Sequence, residues 1–446
     1  MNRVVAQVTD ALESELWPIP SLAVGAAIGL GIGLPVLDAA IDDRLSPLVA
    51  QYLFGGGPAA ARAVLQAVSG SLITVTSLTF SLTVVTLQLA SSQFSPRLLR
   101  TFTSDRFVHG TLALFLATFT YALTVLRTVR TQDEGGAAFV PQLSVTFAYV
   151  LSLASVIALV MFLAHLTREI RVETMMQRVS AETSAVIKRL FDDEDADRPG
   201  SDTPVPLEPT AGSRRIESAD SGFLTHTDER ALLAAATAWE AVIRIDSEAG
   251  DSLIRRTPFA TAWPLDPSRR FTSEEHDGIS NAVNGAIGTG VERTNPQDAG
   301  YGFRQLADVA AKALSPGIND PTTAVHVIGH LSALLCLVAE LRAGPRSISD
   351  ENGRVRVVVS RPTMRDLLGL GLSQIRQYGA QDPVVASRIL CLLKEVAWCD
   401  RANAHTVALR SELAQTTEAF QRHSYGAAER GRLDKLARQV SDALKS

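Results

Sequence analysis

Residues 64–96 read VLQAVSGSLITVTSLTFSLTVVTLQLASSQFSP, and this stretch decides the fold. It belongs to a run of 34 residues, Ala63 to Pro96, without one Asp, Glu, Lys or Arg. At 1.5 Å per residue the run reaches about 50 Å as a helix, whereas about 20 apolar residues cross a ~30 Å hydrocarbon core. The segment must tilt in a membrane or project beyond it. It is also crowded with hydroxyls. At 100° per residue, Ser69, Thr76, Thr79, Thr83, Thr86 and Gln93 fall on one side of the helix, and Thr74, Ser77, Ser81, Gln88 and Ser92 on another. Such hydroxyls can bond back to a carbonyl one turn earlier, which suits a polar-packed helix interface. They can equally line a water-filled path. Thr76, Thr79, Thr83, Thr86, Gln88 and Gln93 are therefore the candidate pore-lining or helix-interface residues. Gln88 discriminates best, because an amide facing lipid leaves several hydrogen-bonding positions unmet.

Three further runs lack charge: Leu16–Leu37, Phe107–Leu126 and Gly135–Thr167. After Arg168 charges recur every few residues. The whole-chain values, 20% charged and a mean hydropathy of +0.13, average over these two regimes. Four spans in the first third exclude an all-soluble enzyme, a secreted disulfide scaffold and a disordered chain. The first span carries Gly25, Gly29 and Gly33 on one helical face, which marks close helix packing, within the subunit or between subunits. Pro35 kinks or ends that span. No span holds an acid or a base deep inside, which argues against a proton-coupled or strongly charge-selective transporter. His109 and His165, near the inner boundary, read as interfacial anchors.

Orientation follows the arginines. Arg97, Arg100 and Arg106, with Arg168, Arg171 and Arg178, slightly outnumber Arg44, Arg62, Arg127 and Arg130 across the bilayer, which places both termini in the cytoplasm of a bacterial inner membrane. Met1 to Trp17 has one Arg and three acids and reads as a short interfacial helix, not a signal peptide. The net charge of −5 is no nucleic-acid signature, since acids match the arginines along the soluble part. Cys336, Cys391 and Cys399 form no ligand pattern and suit a reducing compartment.

Beyond the spans, Arg168 to Leu190 continues as a helix, and Phe191 to Ser218 reads as a linker, acidic and then rich in Pro, Ser and Gly. GFLTHTD reads as a strand, with a helix opening near Asp228 and Glu229. Val242, Arg244 and Asp246 alternate with Ala241, Ile243 and Ile245 as in a half-buried strand. Gly250-Asp251 is a hairpin-type turn. Gly250 to Ala260 resembles half of a small barrel-sandwich module of the biotinyl or lipoyl kind. No lysine stands between Lys188 and Lys312, so no swinging arm is attached and only a structural barrel remains. Glu274 to Glu292 is helical in period. In the next helix Arg304, Asp308 and Lys312 share one face, while Leu306, Val309, Ala310 and Leu314 face inward. Ser315-Pro316-Gly317 ends it, and Asp320-Pro321 caps and opens another. Arg354 to Ser360 is a strand, and Thr363 to Ser446 reads as about four helices.

The runs R-T-x-x-Q-D (Arg293 to Asp298), G-F-R-Q-L-A-D-V-A (Gly302 to Ala310) and A-L-S-P-G-I-N-D-P-T-T-A (Ala313 to Ala324) resemble a bacterial family of predicted membrane proteins catalogued as domain of unknown function 2254. So does S-L-T-F-S-L-T-V-V-T-L-Q-L-A-S-S-Q-F-S-P-R (Ser77 to Arg97). The resemblance covers essentially the whole chain. It implies a membrane-embedded N-terminal part and a cytoplasmic C-terminal part, and it brings no activity with it. From the residues themselves, Arg293, Gln297, Asp298, Arg304, Gln305, Asp308, Ser315, Asn319, Asp320 and Thr322 read as a hydrogen-bond network joining two helices and a turn. A small-ligand or subunit-contact site is the other reading. His326 and His330 stand one turn apart without a third metal ligand. Gly285 to Gly290 lacks the G-K-[ST] ending of a phosphate loop.

The expected fold is an α-helical membrane protein with four transmembrane helices and a mixed α+β cytoplasmic domain. That domain contains a small β-barrel-like module and a helical C-terminal part. The expected segments are 1–18, an interfacial helix; 19–170, the four-helix membrane domain; 171–220, a helix and flexible linker; 221–265, the β-rich module; and 266–446, mainly helical. The expected function is that of a homo-oligomeric inner-membrane protein conducting an ion or small solute, assembled or gated by its cytoplasmic domain. The alternative is a non-conducting anchored scaffold or sensor whose cytoplasmic domain binds a ligand or protein. No nucleophile elbow, metal motif or paired carboxylate points to an enzyme, and no cofactor or nucleic-acid partner is expected.

Overall fold

The computed structural model describes residues 17–41, 53–93, 105–130, 139–169, 171–191, 212–293, 297–341 and 343–445. They divide into two compact units, Met1–Thr174 and Met175–Ser446. Residues 1–16, where the interfacial helix is expected, and 192–211, within the expected linker, lie outside the described residues.

In the first unit the four apolar runs become α1 (Pro18–Ile41), α2 (Pro58–Gln93), α3 (Arg106–Leu126) and α4 (Gln142–Glu169). Among the described residues five helices are long and apolar enough to cross a membrane: these four and Pro321–Glu340 of the second unit. α3 is the shared partner, packing against α1, α2 and α4. Its buried face, with Phe115, Tyr121, Ala122 and Val125, meets Ala61, Leu65, Val68 and Leu72 of α2 in one core. Conversely, α4 turns Val150, Leu153, Val156, Ile157 and Val160 outward. Such a uniformly apolar outer face fits acyl chains, not water.

The glycine stripe faces the other way from the packing expected within the subunit. Nothing lies within 4 Å of where a side chain at Gly25, Gly29 or Gly33 would begin. The inward face of α1 is instead Ala27, Gly31, Pro35 and Asp38. A β-carbon on Gly31 would stand 2.8 Å from Cβ of Thr124 on α3, so α1 and α3 touch nearly backbone to side chain there. Small residues spaced by four mark a stripe but do not say which stripe faces in. Two positions of offset, about 200°, reverse the answer.

The second unit begins in α5 (Val172–Phe191) and is mixed. Its strands are β1 (Arg214–Glu217), β2 (Gly222–Thr227), β3 (Ala241–Ile245), β4 (Ser252–Leu253), β5 (Pro258–Pro264), β6 (Ile287–Gly290), β7 (Arg346–Ser349) and β8 (Val355–Val359). A five-stranded sheet runs in the order β1-β5-β3-β8-β7, antiparallel except for the central parallel pair β3 and β8. A separate antiparallel sheet runs β4-β2-β6. The helices α6 (Glu229–Ala238) and α7 (Ser273–Ala286) lay Leu232, Ala236, Ile279 and Val283 on one face of the larger sheet, against Ile243, Ile245, Ala260, Ala262 and Val357.

Three local expectations are corrected. The β-rich segment 221–265 is not a self-contained barrel. Its central strand β3 is completed by β8, more than a hundred residues later, and β1 joins the sheet from the expected linker. An unpaired edge on β3 would expose backbone donors and acceptors, and β8 removes it. Gly250-Asp251 does not turn a hairpin; it carries the chain from β3 in one sheet to β4 in the other. The helix expected over Glu274–Glu292 stops at Ala286, where GAIGTG switches to β6 and pairs with β2.

The remainder is helical, as expected: α8 (Ala299–Ala313), α9 (Pro321–Glu340), α10 (Met364–Gly379), α11 (Pro383–Cys399), α12 (Thr406–Gln421) and α13 (Ala427–Ala443). α9 is enclosed by α8, α10 and α11. Its face of Val327, Ile328, Leu331, Leu334, Leu335 and Val338 is buried within the unit.

Candidate functional site

The motif residues gather first at the start of α8. Asp298 caps the helix, its Oδ1 accepting the Tyr301 N–H at 2.9 Å. Its Oδ2 takes two bonds from Arg293, at 2.9 Å from Nε and 2.7 Å from Nη2. The same guanidinium stacks 5.7 Å from the Tyr301 ring centroid. Asp298 is only 4% exposed, and burial pushes its carboxyl above the usual range, against the pull of Arg293. Gly250 closes the cluster. Its φ is +96°, and a β-carbon there would run into Asp298 Oδ2 and the Arg293 guanidinium. Glu248 stands nearby, pushed up to about 7 by burial first and by the charges of Asp366, Asp251 and Asp298. One residue along, Gln297 Oε1 accepts the Thr227 N–H at 2.8 Å and ties β2 to the start of α8.

The rest of the expected network lies elsewhere. The 15 residues of α8 span about 22 Å, and Ser315, Asn319, Asp320 and Thr322 sit beyond its far end. There the chain forms a closed turn. Ser315 Oγ donates to the Lys312 carbonyl at 2.7 Å, Asn319 takes a left-handed φ of 51°, and its N–H bonds Ser315 O at 2.9 Å. Asp320 caps α9 through Thr323, whose hydroxyl bond at 2.6 Å holds the Asp320 carboxyl below its usual range. Thr322 is exposed. Arg304 and Asp308 are half-buried along α8, and Gln305 is buried in it. The single network expected from sequence is therefore two capping clusters at opposite ends of one helix. Gly302 explains part of the motif: a side chain there would collide with Thr183 of α5.

In the first unit the two hydroxyl faces of α2 separate cleanly. Ser69, Thr76, Thr79, Thr83 and Thr86 are all buried. Thr76, Thr83 and Thr86 return their hydroxyls to Leu72, Thr79 and Leu82 carbonyls at 2.7, 2.9 and 2.8 Å. Thr79 is fully enclosed, and its Oγ1 has no hydrogen-bond partner among the described residues. The opposite face, Thr74, Ser77, Ser81 and Gln88, is exposed on the single chain. The side chain of Gln93 lies outside the described residues.

These spans, this mixed second unit and the motif clusters can now be set beside known proteins. The family described as Predicted membrane protein (DUF2254) matches residues 13–395. The chain belongs to that family. An uncharacterised protein of Mycobacterium tuberculosis (strain H37Rv) is 36% identical to this DUF2254 protein over 428 residues, covering 95% of this chain and 79% of the relative. An uncharacterised protein of Mycobacterium bovis matches it to the same extent. No solved structure matches the DUF2254 protein.

Two features of the DUF2254 protein escaped the sequence reading. Asp38, in the last turn of α1, is buried and accepts from the N–H groups of Leu143 and Ser144 at 2.9 Å each and from Ser144 Oγ at 2.6 Å. It caps α4 from another helix, and Tyr121 of α3 joins by donating to the Ser144 carbonyl at 3.1 Å. An acid disfavoured by its own helix dipole was the available signal. The second feature is a cavity of about 430 Å³ in the second unit, beside Gln297. Its arginines come from positions 189 to 361, and no local pattern announces it.

Proposed function

We propose that this DUF2254 protein is a four-span, homo-oligomeric inner-membrane protein with both termini in the cytoplasm. In this reading the outward hydroxyl face of α2 meets sister subunits and borders a path for an ion or small solute. The observation that carries it is the exposure of Thr74, Ser77, Ser81 and Gln88 on a single chain, beside Leu78 and Val85 on a helix apolar enough to span. Gln88 against acyl chains would leave an amide unsatisfied at a cost of several kcal/mol, on the order of two hydrogen bonds, so association that shields or hydrates it is favoured. The exposed Gly25, Gly29 and Gly33 supply a second face on which backbones can approach closely. Burial of α9 within the second unit supports four spans over five. The distribution of arginines along the sequence, Arg97, Arg100, Arg106, Arg168, Arg171 and Arg178 against Arg44, Arg62, Arg127 and Arg130, supports the orientation.

From sequence, Thr76, Thr79, Thr83, Thr86, Gln88 and Gln93 are pore-lining or helix-interface candidates, and Thr76, Thr79, Thr83 and Thr86 are the buried ones among them. Their burial against the bundle favours a helix interface for those four residues. That same burial favours a second reading, an electrically silent anchored scaffold or sensor.

The test uses the full chain with Cys336, Cys391 and Cys399 replaced by Ser. Single cysteines at Ser77 and Ser81 are expected to cross-link between subunits in native membranes, and those at Thr79 and Thr83 are not. Purified protein is then fused to planar bilayers, where Gln88→Leu is expected to change the conductance. Monomeric, uncross-linked protein defeats the proposal, and a cross-linked but silent oligomer selects the second reading.

A further inference from the structure

The cavity beside Gln297 is lined by four arginines, Arg189, Arg230, Arg346 and Arg361, and two acids, Asp228 and Glu229. The excess is two positive charges. One acid is already committed, since Asp228 caps α6 by accepting the Ala231 N–H at 3.1 Å. The other is shared. Glu229 Oε1 bonds Arg361 Nη2 at 2.8 Å, and its Oε2 lies 3.6 Å from Arg346 Nη1. Arg361 is fixed further by donating to the Leu190 carbonyl at the end of α5. One carboxylate thus hydrogen-bonds Arg361 and lies within ion-pair distance of Arg346, so both guanidiniums already hold an oxyanion, the kind of group arginine recognises best. The outer pair, Arg189 and Arg230, is exposed at the cavity and adds charge where a second anionic group would lie.

The volume falls in the range of about 300–1,000 Å³ usual for small-ligand sites. Among the described residues no aromatic ring lines it, so a nucleobase has nothing to stack on. Thr227, Gln297 and Ser360 supply uncharged hydrogen-bonding groups around the arginines. Four clustered positive charges with partial shielding also raise the local concentration of anions.

We infer that this cavity binds a compact, multiply charged phosphate-bearing anion across Arg189, Arg230, Arg346 and Arg361, with Glu229 as the built-in competitor for the inner pair. The assignment goes beyond the membrane reading and stands whether or not the first unit conducts.

The experiment is isothermal titration of the full chain in detergent with pyrophosphate at fixed ionic strength, with citrate and inorganic phosphate as comparators. Arg189 and Arg230 are exposed, so their replacement by alanine leaves the fold intact. Each single variant is expected to bind pyrophosphate about tenfold more weakly, the worth of one charge-assisted contact. Glu229→Gln is expected to bind it about tenfold more tightly, because the competing charge is gone while the side-chain shape remains. Displacement of pyrophosphate by phosphatidic-acid vesicles would support the same site and identify a lipid headgroup as the source of the phosphate. No titratable binding at millimolar pyrophosphate, or equal affinity in the Arg189→Ala/Arg230→Ala double variant, would overturn the assignment. A Glu229→Gln protein that binds no more tightly would remove Glu229 from it. Cross-linking of the Ser77 and Ser81 cysteines in the same preparations keeps failure here separate from failure of the oligomer.

Discussion

Asp38→Ala tests the least expected contact in the membrane-facing unit. The carboxylate accepts two backbone N–H groups at the start of α4 and the Ser144 hydroxyl, all between 2.6 and 2.9 Å. It stands where the dipole of α1 repels an anion and that of α4 attracts one, so its place depends on α4. Bonds to an ionised acceptor are worth about 1.5–3 kcal/mol each, and an orphaned buried donor costs about 1–3 kcal/mol. The donors do not act independently, and a water can enter at a helix end. The summed loss is then about 3 kcal/mol, above the ~1 kcal/mol of an ordinary surface cap. At about 2–4 °C per kcal/mol for a unit of this size, the thermal midpoint falls by about 6–12 °C. Asp38→Asn keeps one acceptor oxygen but turns an NH2 toward a donor, so it falls between parent and alanine. The assay is fluorescence-detected gel filtration of detergent-solubilised protein after a temperature series. An Asp38→Ala protein that melts within about 2 °C of the parent would refute the interhelical cap as a source of stability.

The other expectations can be measured on the same preparation. Thr79→Val removes a buried hydroxyl without a partner and keeps the shape, so the thermal midpoint is expected to rise by the equivalent of about 1 kcal/mol; a fall of similar size would mean that the hydroxyl is bonded. Gly250→Ala forces a β-carbon into the Arg293–Asp298 pair at a left-handed φ, and a loss of about 3 kcal/mol is expected in urea unfolding of the second unit; an unchanged midpoint counts against that packing. Glu248, raised from 4.5 to about 7, keeps its proton in the folded chain after the unfolded chain has lost it. Its contribution therefore favours folding at low pH and declines as pH rises through that window. Full burial would make this about 3 kcal/mol, but Glu248 is half-buried and screening leaves about 1–2 kcal/mol. Glu248→Gln is expected to flatten the stability slope between about pH 5 and pH 7.5, and equal slopes in both proteins would refute the assignment. Gly31→Leu is expected to disrupt α1 against Thr124, whereas Gly29→Leu leaves the single chain intact and weakens subunit association; loss of folding in both would erase the distinction between the two faces.

What was legible in the sequence divides along physical lines. Runs without charge set the apolar helices, because length and polarity alone decide whether a segment can satisfy its backbone in lipid. Some helix starts were legible too: Asp320 reads as a cap and Asp228 as a helix opening, and both bond into the first turn. Asp298 reads only as a member of the polar network, and its cap on Tyr301 is the structure's addition. Partners distant in the chain were not. β3 is an ordinary alternating strand whose parallel neighbour arrives only at Val355, and nothing in residues 241–245 names that neighbour. The same holds for the cavity, whose arginines lie on an exit helix, a helix start, a strand and a loop.

The case of α2 shows why periodicity reaches so far and no further. Angular arithmetic placed Ser69, Thr76, Thr79, Thr83 and Thr86 on one face and Thr74, Ser77, Ser81 and Gln88 on another, and burial separates the same two sets. Which set faces inward depends on what α3 offers. The core that α3 shares with α2 is apolar, with Phe115, Tyr121, Ala122 and Val125, and the Thr118 hydroxyl of α3 is satisfied elsewhere, by Leu114 at 2.7 Å and Ser155 of α4 at 3.2 Å. Against such a surface a threonine is the better partner than a glutamine. Its hydroxyl bonds its own helix and leaves a methyl group to pack, whereas an amide must find donors and acceptors outside itself. Thr76, Thr83 and Thr86 can therefore be buried by an apolar helix at little cost, and Gln88 cannot. The residue that needs an external partner is left on the face that is exposed among the described residues.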